Sequence, residues 1–102
     1  MGDRLSMLER LVADGEADSF GYYALAMEYK SKGRVEDAVS VFTSLRETDA
    51  AYLPMYLMAG QMLATAGRVE EARDWLTDGV TRAEAAGDVH AMDAAKKLLA
   101  VL

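Results

Sequence analysis

The chain has 102 residues, 52% of them apolar and 27% charged, with a formal net charge of −6 and no Cys. That length suits one domain, 1–102, with a core but not a core plus a deep active site. The absence of Cys removes disulfides, Cys-ligated zinc and thiol chemistry, and the acidic surface would repel the phosphate backbone of a nucleic acid.

The opening residues Met1-Gly2-Asp3-Arg4 carry charge and no apolar run, so they do not read as a secretory signal. Met1-Gly2-x-x-x-Ser6 fits the loose N-myristoylation pattern. Short patterns of this kind recur by chance, and an ordinary helix lead-in accounts for it. No stretch approaches the ~18 apolar residues of a membrane span. Lys96-Lys97 is the one adjacent basic pair, so a polybasic membrane patch is not expected either. A cytoplasmic location is the expectation.

Residues 3–14 read as a helix with Leu5, Leu8, Leu11 and Val12 on one stripe. Gly15 stops it, and Asp18 or Ser19 can cap the next helix. Over 19–32, Tyr22, Leu25, Ala26 and Tyr29 fall at i, i+3, i+4 and i+7, which is one helix face. Beside them runs a second apolar stripe, Phe20, Tyr23 and Met27. Gly33 follows, where a left-handed C-cap residue is needed, and marks a tight turn. Val35, Ala38, Val39 and Phe42 then resume the helical spacing.

The pattern returns 34 residues later. Gly33-Arg34-Val35-Glu36-Asp37-Ala38 recurs as Gly67-Arg68-Val69-Glu70-Glu71-Ala72, with Tyr22 mapping onto Tyr56, Ala26 onto Gly60, Tyr29 onto Leu63 and Phe42 onto Leu76. Pro54 suits the first turn of a helix over 53–66, where its missing N–H costs nothing. From Met55 to Ala64 that helix is apolar almost all round, so it needs cover on every side. A long helix runs from about Arg68 to Ala86, with Gly79 inside it as a close-packing residue. Gly87-Asp88 divides it from a last helix over 88–101, capped by Asp88, with Met92, Ala95, Leu99 and Leu102 on one stripe and Lys96 and Lys97 on the wet side. No stretch alternates with period 2, so strands are not expected.

Tyr22-x-x-Leu25-Ala26-x-x-Tyr29 with Ala38-x-x-x-Phe42 resembles the tetratricopeptide repeat signature, with Tyr for its Trp and Ala for its Gly. The second copy reads Tyr56-x-x-Ala59-Gly60-x-x-Leu63 with Ala72-x-x-x-Leu76. Ala50 and Glu84 stand where the signature closes on Pro. The resemblance covers 19–86. It implies repeats at 19–52 and 53–86, flanked by covering helices at 3–14 and 88–101, in an all-α, right-handed solenoid of antiparallel helix hairpins with about six helices. Two repeats alone leave faces uncovered, which the flanking helices would close.

The resemblance also implies a protein-binding function. In that family the first helices of the repeats line a concave groove for a peptide or a partner helix. The corresponding positions are Phe20, Tyr23, Met27 and Lys30, then Leu57, Gln61, Ala64 and Thr65. Met and aromatic side chains suit an adaptable apolar contact, so the expected partner is an apolar or amphipathic segment of another protein. The competing readings are that these residues are core, or that the same face pairs with itself in a homodimer or larger scaffold. Some members of the family clamp a C-terminal carboxylate with basic and amide side chains. The places for that clamp hold Tyr23, Met27, Met58, Asp88 and Met92, none of which offers a cation or an amide.

Catalysis is not expected. His90 is the lone histidine, with no second His or Cys to complete a metal or nucleophile site. The acids lie in pairs such as Glu36-Asp37 and Glu70-Glu71 that read as wet faces. Neither GxGxxG nor GxxxxGK occurs, so no cofactor is expected.

Overall fold

The computed structural model describes residues 3–102. Met1 and Gly2, and with them the start of the myristoylation pattern, lie outside the described residues. Those described form six α-helices and no strand: α1 (Arg4–Ala13), α2 (Ser19–Ser31), α3 (Val35–Thr48), α4 (Pro54–Thr65), α5 (Val69–Ala86) and α6 (Val89–Ala100). The all-α architecture and the helix count agree with the sequence reading. The chain divides into two compact units, one ending at Asp49 and one spanning Ala50–Leu102.

The first unit holds α1, α2 and α3. Asp3 caps α1 by accepting from the Ser6 N–H at 2.8 Å, and this bond holds its carboxyl below the usual range. Leu5 and Leu8 are buried where α1 packs on α2. Of the two candidate caps for α2, Asp18 does the capping, accepting from the Gly21 N–H at 2.9 Å. Ser19 instead donates its hydroxyl to Asp49 at 2.6 Å, tying the start of α2 to the end of α3. Between α2 and α3 the backbone turns at Gly33, whose φ of 72° places it in the left-handed region. The Arg34 N–H then donates back to the Tyr29 carbonyl at 2.9 Å, closing the helix end. Ala26, Ala38, Phe42 and Leu45 have no exposed surface, so truncating Phe42 or Leu45 to Ala would cost roughly 2–5 kcal/mol.

The second unit repeats the hairpin with α4 and α5 and adds α6, which packs on both. Pro54 is the first helical residue of α4. That helix buries Met55, Tyr56, Ala59, Gly60, Met62 and Leu63. Two glycines let α4 and α5 approach closely. A Cβ on Gly60 would lie 2.5 Å from Leu76 Cδ2, and one on Gly79 would lie 2.7 Å from Tyr56 Cβ. Gly67 (φ 79°) makes the same turn as Gly33, with the Arg68 N–H donating to the Leu63 carbonyl at 2.8 Å. Arg68 then forks onto Glu71 at 2.7 and 2.8 Å, which keeps the Glu71 carboxyl below its ordinary range. Asp88 caps α6 by accepting from the Ala91 N–H at 2.9 Å. Ala95 faces inward and Arg73 donates to the Leu102 carbonyl at 2.5 Å. Lys96 and Lys97 are exposed.

Candidate binding surface

In the first unit, the packing stripe of α2 is buried at Leu25, Ala26 and Tyr29. The second stripe is not. Phe20 is 62% exposed, and Tyr23, Met27 and Lys30 are half-buried. Tyr23 meets Phe42 edge-on, with ring centroids 6.5 Å apart and planes at 62°, so its inner edge belongs to the hairpin core. Phe20 also lies beside α1, where it lines a crevice of about 370 Å³ with Met7, Leu8, Leu11, Gly21 and Ala24.

In the second unit, α4 shows the same division. Tyr56, Gly60 and Leu63 are buried. Leu57 and Ala64 are half-buried, and Gln61 and Thr65 are exposed. The 34-residue offset maps Tyr23 onto Leu57, Met27 onto Gln61 and Lys30 onto Ala64. Both copies therefore leave the same three helix positions open. These stripes offer apolar contact with sparse polar anchors: one ammonium from Lys30, and one amide from Gln61 that can both donate and accept.

The most perturbed titratable group lies away from these stripes. The Tyr29 hydroxyl donates to Glu9 Oε2 at 2.5 Å. That hydrogen bond first, and burial second, push the phenol up to about 12. The Arg34 guanidinium sits 4.7 Å from the Tyr29 ring centroid. The cluster ties α1 to the α2–α3 turn. Spacing alone marks Tyr29 only as a packing residue; the signal for more is that its counterpart, Leu63, has no hydroxyl, so the first copy carries a polar group that the second lacks. The second unit has a comparable tie that spacing alone did not reveal, the Tyr56 hydroxyl donating to the Ala50 carbonyl at 2.5 Å. His90 is exposed in the first turn of α6. Among the described residues no helix is long and apolar enough to cross a membrane.

No family model matches the chain, and no curated protein matches it. Solved structures do. A protein from Bordetella parapertussis, determined in solution, superposes with a TM-score of 0.82 at 20% identity, covering 97% of this chain and 86% of its own. The crystal structure of a tetratricopeptide repeat domain protein from Salinibacter ruber superposes with a TM-score of 0.73 at 26% identity, covering 81% of this chain and 92% of its own. The fold of this chain is accordingly all-α and of the tetratricopeptide type.

Proposed function

We propose that this chain is a non-catalytic binding module that takes up an apolar or amphipathic segment of another protein. Each unit offers its own surface, the open stripe of its first helix: Phe20, Tyr23, Met27 and Lys30 on α2, and Leu57, Gln61 and Ala64 on α4. The observation that carries the proposal is the repetition of the open positions. Each first helix buries one stripe in its own hairpin and leaves a second, largely apolar stripe accessible at equivalent places in both copies. Apolar surface left accessible in this way marks interaction sites, and Met with aromatic side chains adapts to helical ligands. The likeness to a tetratricopeptide repeat domain protein supports a protein partner by analogy of fold.

The test is selection of ligands from a displayed library of amphipathic helical peptides on the immobilised full chain, followed by calorimetry. Selected peptides should bind the natural chain and lose about tenfold or more in affinity, ~1.4 kcal/mol, against Phe20→Glu or against Leu57→Glu, according to the stripe that holds them. Both variants should keep their far-UV helicity, because neither side chain is buried. Peptides whose affinity is unchanged by either substitution would place the ligand elsewhere and refute the proposal.

A further inference from the structure

The outer face of α1 has a pattern that the binding stripes do not use. Arg4, Met7, Leu11 and Asp14 fall at i, i+3, i+7 and i+10, and so form one stripe. All four line one open crevice of about 460 Å³. Leu5 and Leu8, which pack α1 onto α2, lie on another side of the helix. Met7 is 52% exposed, the Arg4 side chain is 60% exposed, and Leu11 is half-buried.

The two end charges oppose the helix. Arg4 is the first residue of α1 and Asp14 its C-cap, with no acid in the first turn. The macrodipole favours the reverse, an anion at the N-terminus and a cation at the C-terminus. Arg4 has Glu28 at 3.0 Å, but its guanidinium carries five donors. The Asp14 carboxylate has no hydrogen bond or ion pair among the described residues.

Read backwards, the stripe is its own complement. Turned antiparallel about its centre, position 4 meets position 14 and position 7 meets position 11. A twofold interface requires this kind of self-complementarity. We propose that a second copy of this chain docks on the outer face of α1. The two α1 helices pack antiparallel about a twofold axis, with Arg4 of each copy against Asp14 of the other and Met7 against Leu11. Each Arg–Asp contact offsets two charges that the isolated helix holds against its own dipole. A helix of this length spans only ~15 Å, which puts the contact in the small, reversible class of interfaces.

Sedimentation equilibrium on the full chain tests the proposal, from about 10 µM to about 1 mM, in about 0.15 M salt to screen the repulsion between two acidic copies. The natural chain should show a reversible monomer–dimer equilibrium. Arg4→Asp and Asp14→Arg should each weaken it about tenfold or more, because each creates two like-charge contacts. Mixing the two variants should restore association as a heterodimer, in which both contacts again pair opposite charges. The doubly exchanged chain should dimerise with itself. Asp14→Arg suits the helix dipole and breaks no side-chain contact, so its melting temperature should not fall. Arg4→Asp gives up the Glu28 ion pair, and for it the recovery of association on mixing shows that the fold is kept. A chain that stays monomeric throughout overturns the proposal. So does a dimer that neither exchange weakens, or single variants that fail to associate when mixed. Arg4 lines the crevice that Phe20 also lines, so peptide binding is scored separately on Asp14→Arg, which borders neither the α2 nor the α4 stripe.

Discussion

Tyr56 and Gly79 are in contact through their backbones' immediate surroundings: a Cβ added at Gly79 would stand 2.7 Å from the Tyr56 Cβ. A Cβ cannot swing aside as a side-chain tip can, so relief requires the helices themselves to part. Tyr56 is 1% exposed and also stacks at a tilt on Trp75, with centroids 6.0 Å apart. Gly79→Ala should therefore destabilise by about 1–2 kcal/mol, overpacking outweighing the ~1 kcal/mol that Ala gains over Gly in a helix. Trp75, the single tryptophan, is buried in this unit and reports its unfolding by fluorescence. Gly60→Ala meets a fully buried Leu76 at 2.5 Å from Cδ2 and 2.6 Å from Cγ, so it too should lower the melting temperature. An unchanged midpoint for Gly79→Ala would mean that the helices are not held this close.

Gly33 poses a different constraint. Nothing lies within 4 Å of a Cβ built there, so any cost comes from the backbone alone at φ 72°. Gly33→Val should lose more than ~1 kcal/mol, since a non-glycine residue in the left-handed region costs roughly 1–2 kcal/mol and β-branching adds to it. Gly33→Asn should lose less, because Asn tolerates that region. Urea denaturation ranks the three; equal midpoints for Val and Gly would refute the turn.

The Tyr29–Glu9 hydrogen bond makes stability depend on alkaline pH. The phenol titrates at about 12 in the folded chain and near ~10 when unfolded. A raised pKa stabilises the protonated, folded form. The contribution is complete below ~10, declines as the unfolded chain ionises, and is lost as pH rises through about 12. Tyr29→Phe should cost about 1–2 kcal/mol near neutral pH, and its difference from the natural chain should shrink between pH ~10 and ~12. A difference independent of pH across that window would show that the hydroxyl does not donate to Glu9.

Asp88 begins α6 by accepting from the Ala91 N–H. Asp88→Ala should cost ~1 kcal/mol. Because α6 buries only Ala95 fully, the loss should appear as faster amide exchange within α6 before any change reaches α4 or α5. Uniform acceleration across all three helices would show that they open as one cooperative unit.

Much of this molecule was legible in its residue spacing. The 34-residue recurrence, the apolar stripes at i, i+3, i+4 and i+7, the glycines at 33 and 67, and Pro54 at the head of α4 are local signals. Each reflects the geometry of a single helix or turn, so a sequence determines them by itself. Gly79 was also legible as a packing residue, because glycine inside a helix is costly without a close neighbour. What only the tertiary structure decided was which partner each side chain meets across elements. That Tyr29 reaches Glu9, that Tyr56 lies under Gly79, that Phe20 stands exposed beside Met7 while Tyr23 turns an edge into Phe42, all depend on how one helix rotates against another. Helix rotation is set by the summed packing of many side chains, and period alone leaves it open by a residue's width.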